Sequence, residues 1–134
     1  MRLLIVHLFL SLGLFFSSQD QTYNNVQLLF HWDDENLVGS AAYNNTYNEI
    51  WGYAQNGREY AIIGSTAGTH IFDVTDASNS EQIAFIPGKH SNYPDIIHRD
   101  YHDYAGYLYA VADEGFSSLQ IIDLTQLPDT ALVV

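Results

Sequence analysis

The chain has 134 residues, 47% of them hydrophobic, with 4 Lys plus Arg against 16 Asp plus Glu and no cysteine. A formal charge of −12 repels nucleic acid and anionic membranes, and no basic stripe or basic-aromatic patch offsets it. Without cysteine there is no disulfide framework, no thiol nucleophile and no thiolate metal site.

Met1 and Arg2 lead into an apolar run over residues 3–16, interrupted by His7, Ser11 and Gly13. Such a run is too short to cross a bilayer comfortably and fits the apolar core of a secretory signal peptide. Ser17 and Ser18 place the cut near Ser18 and Gln19. The expectation is a signal peptide over 1–18 and an exported domain over 19–134, secreted or anchored at the cell surface, with no transmembrane segment after the leader. Loss of Arg2 leaves 3 basic residues against 16 acidic ones, a net of −13.

Residues 19–25 are a polar lead-in, and residues 26–32 (VQLLFHW) are the next strand candidate. They resemble residues 82–87 (QIAFIP) and 131–134 (ALVV). They are therefore expected as a closing strand, the last of a blade whose other strands lie beyond Val134; closing a ring in this way removes open sheet edges. Residues 33–36 (DDEN) lack the spacing and distal Glu of a helix-loop-helix calcium site and read as a solvated turn. Asn44, Asn45 and Thr46 form an N-x-T acceptor at Asn44.

Residues 50–55 (IWGYAQ) run into Asn56-Gly57, a pair that tolerates the positive φ of a two-residue hairpin turn. The apolar run at residues 60–63 suits a strand covered on both faces. Gly64 and Gly68 punctuate the next turn. Thr66 lies between them, but a strand follows where a nucleophile elbow requires a helix. Ile71, Phe72 and Val74 then surround Asp73.

A looser copy follows at residues 107–126. Tyr60, Ala61 and Ile62 answer Tyr109, Ala110 and Val111 at an offset of 49, and Ile71, Asp73 and Thr75 answer Ile121, Asp123 and Thr125 at 50. Ala105-Gly106 takes the place of Asn56-Gly57. Each repeat is expected to hold four strands, with Asp73 and Asp123 accepting hydrogen bonds from the turn that follows. The fold class is all-β, a β-propeller-like array of four-stranded blades. Because propellers close with about four to eight blades, the chain is expected to be the N-terminal part of a longer domain, about two blades plus the closing strand.

Three strings, residues 48–76 (NEIWGYAQNGREYAIIGSTAGTHIFDVTD), 96–115 (IIHRDYHDYAGYLYAVADEG) and 119–124 (LQIIDL), resemble the choice-of-anchor B family, whose members contain LVIVD-type repeats. The resemblance spans essentially the whole chain after the leader. It implies an exported β-propeller-like domain attached to the cell surface by one of several C-terminal devices. Two departures stand out: Asp76-Ala77 replaces the repeat's usual Asp-Pro turn, with Ser80 where another proline is common, and no anchoring region is seen. The family names no reaction.

Chemistry must come from the residues. The densest polar cluster is residues 98–104 (HRDYHDY). On a strand, His98, Asp100 and His102 share one face and Arg99, Tyr101 and Asp103 the other. Neighbours on a face are about 6.6 Å apart and the two histidines about 13 Å. A divalent metal at His98, Asp100 and His102 needs a bend in the chain; the structural alternative is pairing within the polar end of a blade. Candidate ligand contacts are Glu49, Tyr53 and the acidic pair Asp113 and Glu114 before Gly115. No nucleophile-base set is visible, so no catalytic residues are assigned. Two functions stay open: a cell-surface binding or scaffold module for protein or glycan, without cofactor, and an exported metal-dependent hydrolase using the 98–103 cluster.

Overall fold

A computed structural model describes residues 26–89, 96–115 and 119–134. The leader expected over 1–18 lies outside them. The described chain is all-β apart from one short 3-10 turn. Strands β1 (Tyr47–Gln55), β2 (Arg58–Ser65), β3 (Gly68–Asp73) and β4 (Glu81–Pro87) form one four-stranded sheet. Strands β5 (Arg99–Tyr104), β6 (Tyr107–Ala112), β7 (Gln120–Asp123) and β8 (Leu132–Val133) form another. Both are antiparallel meanders in chain order, so each sequence repeat is one sheet.

The hairpins follow from their turn residues. Asn56 and Gly57 have φ of 52° and 76°, and Ala105 and Gly106 repeat the geometry at 53° and 83°. Both turns place two left-handed residues between strands, as a two-residue hairpin requires. Thr66 and Ala67 join β2 to β3. Here the absent side chain of Gly68 is essential: a Cβ would stand 2.2 Å from the Ile86 carbonyl oxygen of β4. Asp76 caps the 3-10 turn Ala77–Asn79, its carboxylate accepting from the Ser78 amide.

One face of each sheet builds a shared core. Tyr60, Ile62, Ile71 and Ile86 of the first sheet meet Tyr101, Leu108, Ala110 and Ile122 of the second, with Leu124, Leu127 and Ala131 closing the far end. Burial of this apolar surface, at about 25 cal/mol per Å², is the main force joining the two sheets. Polar bonds fix their alignment. The Trp51 indole donates to Asp103 (2.9 Å), Gln55 donates to the Leu124 carbonyl (2.7 Å), and the Thr69 and Tyr101 hydroxyls lie 2.9 Å apart.

The closing strand expected at residues 26–32 has its expected partners beyond Val134, and it joins neither described sheet. The segment makes no ladder and runs irregularly over the other face of the first sheet. Trp32 anchors it, its ring 4.9 Å from both His70 and Phe72 and 5.5 Å from Tyr47. Val26, Leu28 and Leu29 remain exposed. Apolar pattern alone gave the segment strand character; a ladder needs an edge in reach, and here the indole settles on aromatic rings instead.

Candidate functional site

The meander brings four connections to one end of the sheets: the loop before β1, the Thr66-Ala67 turn, the segment entering β5 and the turn leaving β6. There the Glu114 carboxylate accepts from the backbone amides of Ile97 (3.2 Å) and His98 (3.1 Å) and pairs with His98 Nδ1. Glu114 is well covered, whereas the His98 ring is more exposed. Tyr43 packs its ring against His98 with centroids 4.3 Å apart. With Nδ1 held by a carboxylate, the imidazole is fixed in orientation, and its Nε2 has no hydrogen-bond partner among the described residues.

Arg99 follows directly and points the other way. It is 5% exposed, and its Nε donates to the Ser65 carbonyl at 2.7 Å. The guanidinium lies over the backbone of Gly88, where a Cβ would come within 2.5 Å of it. Nη2 has no acceptor among the described residues. Burial lowers the arginine's pKa, partly offset by the nearby Tyr101 and Glu114. Arg99 thus ties the second sheet to the first.

Beneath this end, Ser65 Oγ lies 2.8 Å from His70 Nε2, and His70 Nδ1 lies 3.2 Å from Gln82 Oε1. The order serine, histidine, amide resembles a nucleophile relay, but Ser65 is 0% exposed and its oxygen also accepts from the Ala67 and Gly68 amides, both at 3.2 Å. This is a pin for the turn. Burial lowers the pKa of His70, keeping the ring neutral, which suits a ring between Trp32 and Phe85.

The other candidates separate. His98 precedes β5 rather than lying in it, so the expected His98-Asp100-His102 face begins at Asp100. Asp100 accepts from the Tyr101 amide, and His102 meets Trp51 edge-on with centroids 5.2 Å apart. Among the described residues no three His, Asp or Glu side chains converge as a metal set. Glu49 sits in a bulge of β1 with φ of 61°. Tyr53 stacks on Tyr60 with centroids 6.1 Å apart and donates to Gln55; burial raises its pKa. Asp113 is exposed, its amide bonded to the His98 carbonyl. Of the ligand candidates, Glu114 alone meets the His98 ring among the described residues.

At the opposite end Asp73 and Asp123 behave as the repeat implies. Their Oδ1 atoms accept from the amides of Thr75 (3.0 Å) and Thr125 (2.8 Å), and Arg58 adds an ion pair to Asp73 at 2.5 Å. The threonine bonds are the chief reason both carboxyls titrate below the usual carboxylate range. Sequence reading missed Tyr43 and the Ser65-His70 pin; the only available signals were an aromatic before β1 and a histidine inside an apolar strand. Comparison with family models, with curated proteins and with solved structures finds no match.

Proposed function

We propose that the chain is part of an exported, cell-surface binding module of the choice-of-anchor B type, built from β-propeller-like blades and recognising protein or glycan at its loop end. One observation carries the reading: a partly exposed His98, oriented by Glu114 and flanked by Tyr43, at the end where the sheet connections gather. An aromatic ring beside an oriented imidazole offers an apolar surface and a directional hydrogen bond, the pairing that glycan and peptide sites use. Two equal meanders packed face to face support the blade assignment. Among the described residues no helix is long and apolar enough to cross a membrane.

The test is a glycan and cell-surface protein array probed with wild type, Tyr43→Ala and His98→Ala. Binding lost in both variants, with unchanged circular dichroism, supports the site. Equal binding by all three would overturn it.

The hydrolase reading rests on one feature, a partly exposed histidine held at Nδ1 by a carboxylate, which is how metal-ligating imidazoles are prepared. Metal content and metal-dependent thermal shift decide it, with wild type beside a His98→Ala, His102→Ala double variant. Stoichiometric metal lost in the variant favours the hydrolase; no metal and no shift leave the binding module.

A further inference from the structure

Residues 38–46, which carry Tyr43 to His98, form a small hairpin of their own. The Ser40 amide donates to the Asn45 carbonyl, and the Asn44 amide closes the tip on the Ser40 carbonyl, both at 2.8 Å. Asn44 takes a left-handed φ of 54° there. Tyr43 projects from the same tip and is 48% exposed, so the direction of the hairpin decides where its ring lies.

Both feet of this hairpin rest on one residue. The Thr66 hydroxyl donates to the Val38 carbonyl at 2.8 Å, and the Thr66 amide donates to the Thr46 carbonyl at 3.0 Å. Thr66 is 4% exposed, and its turn is stiffened by Ser65 Oγ, which accepts from the Ala67 and Gly68 amides and meets His70. The Thr46 foot runs straight into β1 and is steadied by the ladder with β2. The Val38 foot has no ladder. Tyr47 holds the chain at Asp33 and Asp34, and the Leu37 amide closes a turn onto the Asp34 carbonyl; from there to Ser40 the bond from Thr66 is the tie to the sheet.

The same turn serves the other side of the site. The Ser65 carbonyl accepts from Arg99 Nε at 2.7 Å, and Arg99 directly follows His98. Tyr43 and His98 belong to different repeats, yet consecutive residues of one buried turn hold the chain beside each. Asn48 adds a second tie, donating to the Arg99 carbonyl at 3.0 Å, so the base of the site does not hang on Thr66 alone.

We propose that Thr66 is a positioning residue for the His98 site: by holding both feet of the 38–46 hairpin it sets the Tyr43 ring against His98 before any protein or glycan arrives. A wall fixed in advance spares the ordering cost that a loose loop would charge against binding. The inference rests on the binding-module reading above. It explains why a polar turn is pinned so firmly beneath a surface loop.

The experiment is two-dimensional proton NMR on protein with selectively labelled histidine and tyrosine, comparing wild type, Thr66→Val and Thr66→Ser. Valine keeps the size of threonine and the backbone amide but cannot donate to Val38; serine keeps the hydroxyl. Wild type is expected to show a cross-peak between the Tyr43 and His98 rings, whose centroids lie 4.3 Å apart, assigned by its absence in Tyr43→Ala. Thr66→Val should lose the cross-peak and move the His98 ring protons to their positions in Tyr43→Ala, with circular dichroism unchanged, while Thr66→Ser should match wild type. A cross-peak of full strength in Thr66→Val, or one lost equally in Thr66→Ser, would overturn the proposal. If Thr66→Val does not fold, Thr66→Ala removes the same bond without filling the turn. On the glycan and protein array, a probe that needs Tyr43 should bind Thr66→Ser like wild type and Thr66→Val more weakly. Equal binding by Thr66→Val and wild type overturns this inference alone; an array on which wild type binds nothing overturns the binding reading, and the cross-peak still decides the role of Thr66.

Discussion

Acidification should unlock the β2–β3 turn through His70. With Gln82 Oε1 accepting at Nδ1, Nε2 is the bare nitrogen and receives the Ser65 hydroxyl proton. Both lone pairs of Ser65 Oγ are taken by the Ala67 and Gly68 amides, so a proton on Nε2 would face an oxygen with nothing left to accept it. Burial, the largest influence, sets the folded pKa below the unfolded one, while Gln82 and the more distant Asp34 act the other way and Arg99 adds to the lowering. Between the two values the unfolded chain holds a proton that the folded chain does not. Stability is therefore complete above the unfolded pKa of about 6.5 and falls below it by up to about 1.4 kcal/mol per pH unit, until the folded pKa is reached. From pH 6.5 to 5 the limit is about 2 kcal/mol, a large share of a typical total of about 5 to 15. Urea denaturation between pH 8 and pH 5 measures it, with wild type beside Ser65→Ala, His70→Phe. The double variant keeps an aromatic ring between Trp32 and Phe85 and leaves no hydroxyl unpaired. Its carboxylates and other histidines are those of wild type, so the difference in slope isolates His70. Parallel profiles would refute the pin.

Asp73→Ala removes the acceptor of the Thr75 amide and the partner of Arg58; a loss of about 1 to 3 kcal/mol should appear as a lower melting temperature. Gly68→Ala drives a methyl group into the Ile86 carbonyl and should cost about 3 kcal/mol or more, measured by the same melt. Burial pushes the Tyr101 phenol up to about 12. One tyrosine should then ionise well after the others in an absorbance titration at high pH, and Tyr101→Phe should abolish that late step. Since the folded state retains that proton longer, the Tyr101 contribution is complete below pH about 10 and is lost as pH rises through its folded value.

How much of this was legible depends on the range of the interactions. Asn56-Gly57, Gly64, Gly68, the apolar run at residues 60–63 and the apolar Ile71, Phe72 and Val74 marked out the strands of the first repeat, because turn geometry and strand character are local properties of the backbone. The copy at 107–126 then implied a second sheet of the same kind, and the Asp73 and Asp123 turns followed because acceptor and donor lie two residues apart. Residues 26–32 show the limit. Their pattern is that of a strand, yet a strand exists only with an edge beside it, and Trp32 found aromatic rings instead. The pairing of His98 with Glu114 spans 16 residues and that of Ser65 with Arg99 spans 34. Such pairs depend on strand register and on how two sheets settle against each other, which no local spacing encodes. By itself the sequence determined the all-β repeat, its turns and its acidic surface. Only tertiary structure decided which faces met, because β2 and β6 carry apolar side chains on both faces and the choice between them is made by packing.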